Sequence, residues 1–132
     1  MLAGCVRALI ARGDRVTALA RSQSSLSALS ESVPAADRDR LRTHPCDYRQ
    51  TEQLESALAQ IDPHPTGAIC WVHTPTAPVL DRVLERFPAI DLLQVLGSSM
   101  DPGQHRHRTV QLGCVIDGDH SRWLTHEEIS GG

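Results

Sequence analysis

The stretch LAGCVRALIARGDRVTALARS, residues 2–22, decides the fold class. Leu2, Val6, Leu9 and Ile10 recur at i, i+4, i+7 and i+8, the apolar stripe of one helix face, and Arg7 and Arg12 lie off it. Gly13 stands where a helix wants a left-handed C-terminal cap, a conformation that costs glycine little because it has no Cβ. Asp14-Arg15 turns the chain. Val16 to Ala20 then reads as a short buried strand that ends on a charge, Arg21. Helix, glycine, strand, basic residue is the second half of a βαβ unit. No strand and glycine-rich turn precede it in this sequence, and Gly4 lies inside the helix pattern.

Outward from this stretch the pattern repeats. Residues 22–32 carry Leu26 and Leu29 among serines, a short helix closed by Pro34, and residues 35–40 form a charged turn or helical turn. Residues 41–46 read as a strand. Pro45 removes a ladder donor there, which places the strand at a sheet edge. Asp47-Tyr48 is a turn, and residues 50–61 make a helix with Leu54, Leu58 and Ile61 on one face. Residues 68–73, AICWVH, form a continuous apolar run, as expected of a central parallel strand covered on both sides. Leu80, Val83, Leu84 and Phe87 stripe another helix ended by Pro88, and residues 91–96 are the next strand. Residues 100–108 are a polar loop, 109–116 a strand and 117–119 a tight turn. Thr125 with Glu128 makes a T-x-x-E capping box for a final helix. Strands alternating with helices predict an α/β protein with a parallel sheet, a single domain over residues 1–132.

Composition narrows the function classes. Of 132 residues 40% are apolar, which suits a globular domain, and net charge is −3 with the signs interspersed, which leaves no footprint for nucleic acid. All 13 basic residues are arginine, so lysine Schiff-base and lysine acid/base chemistry have no carrier in this chain. Cys5, Cys46, Cys70 and Cys114 show no CxxC spacing and read as buried reduced thiols. No run approaches the ~18 apolar residues of a membrane span, and Arg7, Arg12 and Arg15 break the N-terminal apolar run too early for a signal peptide. The expectation is a soluble cytoplasmic protein.

The arrangement resembles the short-chain dehydrogenase/reductase family. Met1-Leu2 looks like the residues just after that family's phosphate-binding glycines. Arg21-Ser22 stands at the end of the second strand, where the family reads the ribose, and Asp47 at the end of the third, near the adenine. His73-Thr74-Pro75 takes the place of the family's Asn-Asn-Ala-Gly turn, and Ser98-Ser99 that of its catalytic serine. The closing SRWLTHEEIS, residues 121–130, resembles the end of a small group of bacterial dehydrogenase-like proteins. The resemblance implies a three-layered Rossmann-like fold, with a mostly parallel sheet of four or five strands that lacks the usual first strand. It also implies NADP as cofactor, with Arg21, Ser22, Asp47 and His73 around it, and Ser98 and Ser99 as catalytic candidates. Its Tyr-x-x-x-Lys pair is absent, since Tyr48 is the sole tyrosine and there is no lysine. The expected chain is therefore a binder of weak or no activity, descended from an oxidoreductase that reduced small carbonyl compounds. Its likeness to a family that begins one strand earlier implies a truncated start, with a homodimer or higher homo-oligomer as compensation.

Other readings of the same residues stay open. Arg21 suits the 2′-phosphate of NADP because a base replaces the acid that selects NAD, but it also serves as an exposed residue closing a strand. Asp47 is equally a turn or capping residue. Ser98 or Ser99 with His73 could imitate a nucleophile and base, which gives a small serine-dependent hydrolase, although no third orienting group is identifiable. His105, His107 and His120 could chelate a metal, but no carboxylate completes a site, and a solvated loop is the plainer reading. A non-catalytic nucleotide-sensing or protein-interaction module is the remaining alternative.

Overall fold

A computed structural model describes residues 2–61, 64–72, 77–97, 107–112, 114–117, 120–125 and 128–129 of the chain. These fall into two compact units, residues 2–61 and residues 64–129.

The first unit contains α1 (Ala3–Ala11), β1 (Val16–Ala20), α2 (Gln23–Ser32), a 3-10 helix (Ala35–Arg40), β2 (Leu41–Pro45) and α3 (Thr51–Ala59). Helix α1 closes as the sequence requires. Gly13 sits at φ +100°, its N–H donates to the Ile10 carbonyl at 2.9 Å, and the Asp14 N–H reaches back to the Leu9 carbonyl at 3.1 Å. That pair of bonds is a Schellman cap, and only glycine enters it without strain. Arg40 then donates to the Gly13 carbonyl at 2.6 Å, tying the end of the 3-10 helix to the turn. Strands β1 and β2 pair in parallel from Val16↔Leu41 to Ala20↔Pro45. The apolar side chains of Ile10, Leu26, Val33, Cys46, Leu54, Ala57 and Leu58 are the buried positions of this unit.

The second unit contains β3 (Gly67–Trp71), α4 (Ala77–Arg86), β4 (Asp91–Leu96), β5 (Arg108–Gln111), β6 (Cys114–Asp117) and β7 (His120–Trp123). β3, β4 and β5 form a parallel sheet in that order. Helix α4 buries the side chains of Val79, Leu80 and Val83, with Phe87 just beyond it. In β4, Leu92, Gln94, Val95 and Leu96 are all buried. β6 and β7 pair antiparallel, Cys114↔Trp123 through Asp117↔His120. The Thr125–Glu128 capping box forms: the Glu128 N–H donates to Thr125 Oγ1 at 3.3 Å, and the Thr125 N–H donates to Glu128 Oε2 at 2.7 Å. Arg122 clamps the same carboxylate with both Nη atoms at 2.9 and 3.0 Å. That pairing, with the Thr125 contacts, pulls the Glu128 carboxyl down to about 2.

The mixed α/β character and the parallel pairing are present, but three expectations need correction. The parallel strands form two small sheets, of two and three strands, and not one sheet of four or five, and β6 with β7 is a separate antiparallel pair. Each parallel sheet ends on a strand, β1 or β3, to whose outer edge no described strand is hydrogen-bonded. The run at 68–73, read as central and covered on both sides, supplies an edge strand with Ile69 38% exposed. The centre belongs to β4, because it alone has parallel neighbours on both sides. The predicted strand over 109–116 is two strands, β5 ending at Gln111 and β6 beginning at Cys114, and the Leu112 N–H still donates to the Leu96 carbonyl at 2.9 Å. Among the described residues no helix is long and apolar enough to cross a membrane.

The burial difference between β4 and β3 is measurable. Leu96 is 1% exposed, so Leu96→Ala leaves a cavity in a packed layer and costs ~2–5 kcal/mol. Ile69→Ala, half in water already, costs about 1 kcal/mol or less. Both tryptophans lie in the second unit, so urea unfolding followed by their fluorescence reads the comparison; equal losses would contradict the burial order.

Candidate functional site

In a parallel sheet the strands all release their chains at the same end, and backbone and side-chain groups of several loops converge there. In the first unit Ala20 and Pro45 are register partners, and the Cys46 N–H donates to the Ala20 carbonyl at 2.9 Å. Arg21-Ser22, leaving β1 for α2, and the segment from Cys46 to Gln50, leaving β2 for α3, therefore emerge side by side.

Ser22 is the N-cap of α2, in an extended conformation that turns its hydroxyl onto the helix start. Its Oγ accepts the Ser25 N–H at 3.1 Å and the Ser25 hydroxyl at 3.0 Å, and shares a hydrogen bond with Ser24 Oγ at 2.9 Å. The hydroxyl is thus engaged in capping, as a serine before a helix usually is.

Asp47 is organised by Arg49. Asp47 Oδ1 accepts the Arg49 backbone N–H at 3.2 Å and its Nε at 3.0 Å, and Oδ2 accepts Nη2 at 2.9 Å. The Asp47 N–H in turn donates to Gln53 Oε1 at 3.1 Å, which fixes the loop to the first turn of α3. These contacts hold the Asp47 carboxyl below its ordinary value of 3.8. The Arg49 side-chain hydrogen bonds contribute most, the Arg49 N–H and charge add to them, and the Arg21 charge adds a smaller part, against a partial desolvation.

Arg21 is exposed, and its guanidinium carbon lies 5.8 Å from the centre of the Tyr48 ring, within cation–π range. Among the described residues it makes no hydrogen bond and no ion pair. Asp47 is matched by Arg49, so the charge left over at this end of the sheet is that of Arg21. Beside it, Cys46 is buried; burial first and the Asp47 charge second push its thiol up, so it stays protonated and is no nucleophile at neutral pH. A shallow groove of about 390 Å³ between the end of β2 and α3 is lined by His44, Pro45, Glu52, Gln53, Ser56 and Gln60.

The structure thus brings Arg21, Ser22 and Asp47 to one end of one sheet. His73, Ser98 and Ser99 lie outside the described residues, as does His105. His107 pairs with Gln94: its Nε2 stands 2.7 Å from Gln94 Oε1, and Gln94 is 1% exposed. Among the described residues no group of three or more His, Cys, Asp or Glu side chains is placed to hold a metal ion. Cys70 in β3 is a further inert thiol, pushed up to about 11 by burial.

Sequence reasoning missed Arg49 and Tyr48 as parts of this cluster. The signal for Arg49 was present: an aspartate two residues before an arginine in a turn is the spacing at which an Asx turn and an ion pair coincide. Nothing local marks Tyr48 as a neighbour of Arg21, because that contact joins two strands. Comparison with protein-family models, curated proteins and solved structures finds no match for the chain.

The cluster makes a titration prediction. A carboxyl whose folded value is lowered favours the folded state above its unfolded value of 3.8 and loses that contribution as pH falls through the folded value. Arg49→Gln removes the largest cause, so the Asp47 carboxyl carbon, followed by NMR, should titrate close to 3.8 in the variant and lower in the parent. Identical titrations would show that Arg49 does not organise the loop.

Proposed function

We propose that this chain is a Rossmann-like NADP-binding protein of short-chain-dehydrogenase type, with an ancestral oxidoreductase role on small carbonyl compounds and weak or no remaining activity. The observation that carries the reading is the exposed Arg21 at the carboxyl end of β1, within cation–π range of Tyr48 and in no ion pair among the described residues. A strand that ends on a cation and leads through a capped helix start into α2 suits a phosphate on the ribose 2′ position. An acidic residue at that point would favour the free 2′ hydroxyl of NAD instead. Asp47, just past the end of the neighbouring strand, is the candidate for the adenine, and its oxygens already accept three hydrogen bonds from Arg49. The missing Tyr-x-x-x-Lys pair leaves no evident proton donor for a carbonyl substrate, which supports binding over turnover.

Calorimetric titration separates this from a plain interaction module or a serine hydrolase. A charge-assisted phosphate contact is worth about 1.5–3 kcal/mol, so NADPH should bind about 10–100-fold more tightly than NADH. Arg21→Glu should abolish that preference while leaving the circular dichroism spectrum unchanged. Absence of binding by either dinucleotide at millimolar concentration overturns the proposal.

A further inference from the structure

Arg21 has an opposite charge nearby with which it forms no ion pair. The turn after β2 carries an acid, a ring and a base in succession, Asp47, Tyr48 and Arg49. The Tyr48 ring lies against the Arg21 guanidinium, 5.8 Å from ring centre to Cζ. The Arg21 charge helps to hold the Asp47 carboxyl below its ordinary value, so the two opposite charges lie in one another's field.

Arg49 keeps them apart by occupying both oxygens of Asp47. Its Nε and backbone N–H donate to Oδ1 at 3.0 and 3.2 Å, and its Nη2 donates to Oδ2 at 2.9 Å. A two-point guanidinium–carboxylate pair of this kind is the strong form of the contact. Gln53 Oε1 also takes the Asp47 N–H at 3.1 Å. The carboxylate is therefore fixed, and its charge is answered inside the turn. Every one of these groups belongs to the first unit.

We propose, resting on the reading of Arg21 as the phosphate contact, that Arg49 is a positioning residue for that site: it answers the Asp47 charge and so leaves the Arg21 charge to a phosphate. Without Arg49 the site holds one cation and one anion, and an incoming phosphate meets opposing fields. With Arg49 it meets a net positive one. Arg49 acts through Asp47 and not on the ligand.

Two other roles for Arg49 behave differently. A direct phosphate ligand is needed whatever stands at position 47. A structural clasp is needed together with Asp47, so losing both is no better than losing one. A residue that answers the Asp47 charge is needed only while that charge exists.

NMR of the Arg21 Nε–Hε signal of the full chain, titrated with inorganic phosphate at pH 7 and low ionic strength, tests this. The parent signal should shift saturably. Arg49→Gln should weaken phosphate binding about 3–10-fold, the scale of one nearby unit charge at partly screened distance. The double variant Asp47→Asn, Arg49→Gln should return to within about twofold of the parent, because the two substitutions are coupled. Should Arg49→Gln lose the parent circular dichroism, Asp47→Asn alone decides: it leaves two arginines without the acid and should bind phosphate more tightly than the parent. An unresponsive parent signal, unchanged affinity in Arg49→Gln, no recovery in the double variant, or weaker binding by Asp47→Asn would each overturn the proposal. No dinucleotide takes part, so failure of NADPH to bind the parent counts against the dinucleotide reading and not against the role of Arg49.

Discussion

Every backbone N–H and C=O of a buried strand must find a partner, since water cannot reach it. β4 meets that demand by pairing on both sides, with β3 and β5, in one parallel register. Its side chains at Leu92, Gln94, Val95 and Leu96 are buried as a consequence. The one polar member, Gln94, is tolerated because His107 at the entry to β5 supplies a hydrogen bond at 2.7 Å. An unpartnered buried amide would cost about 1–3 kcal/mol. The pair therefore links the centre of the sheet to its outer strand as well as satisfying a polar group.

The first unit meets the same demand with less. Two parallel strands, every residue of β1 half-buried, depend on α1 and α2 for cover and on specific closures at their ends. Those closures are the Schellman turn at Gly13 and the Arg40 bond to its carbonyl, where the strands begin. At the opposite end of the strands the Asp47–Arg49 pair stiffens one loop and leaves Arg21 to define the charge of the other.

Much of the local structure was legible in the sequence. Val16 to Ala20 is an apolar β-type run bounded by charge, Gly13 marks a left-handed cap, Pro45 marks an edge, and Thr125 with Glu128 marks a capping box; each rests on interactions within a few residues. What was not legible depends on distant neighbours. AICWVH looks more like a central strand than DLLQVL, because local apolarity stands in for burial on both sides. The glutamine in the second run counts against it until His107, 13 residues away, is seen to satisfy it. The split of 109–116 into two strands follows from Leu112 still bonding to β4 while Cys114–Asp117 pairs antiparallel with β7. The candidate site shows the same division. Arg21, Ser22 and Asp47 could be placed at strand ends one by one, and the Arg21–Tyr48 contact could not.

Amide hydrogen exchange at low micromolar concentration tests the central claim most directly, that β4 is the interior strand and β3 an edge. Exchange is slowest where both neighbours hold a strand. The amides of Leu92 to Leu96 should be the most protected of the second unit, and those of Gly67 and Ile69 should exchange orders of magnitude faster. Protection at Gly67 and Ile69 equal to that at Val95 would contradict the account.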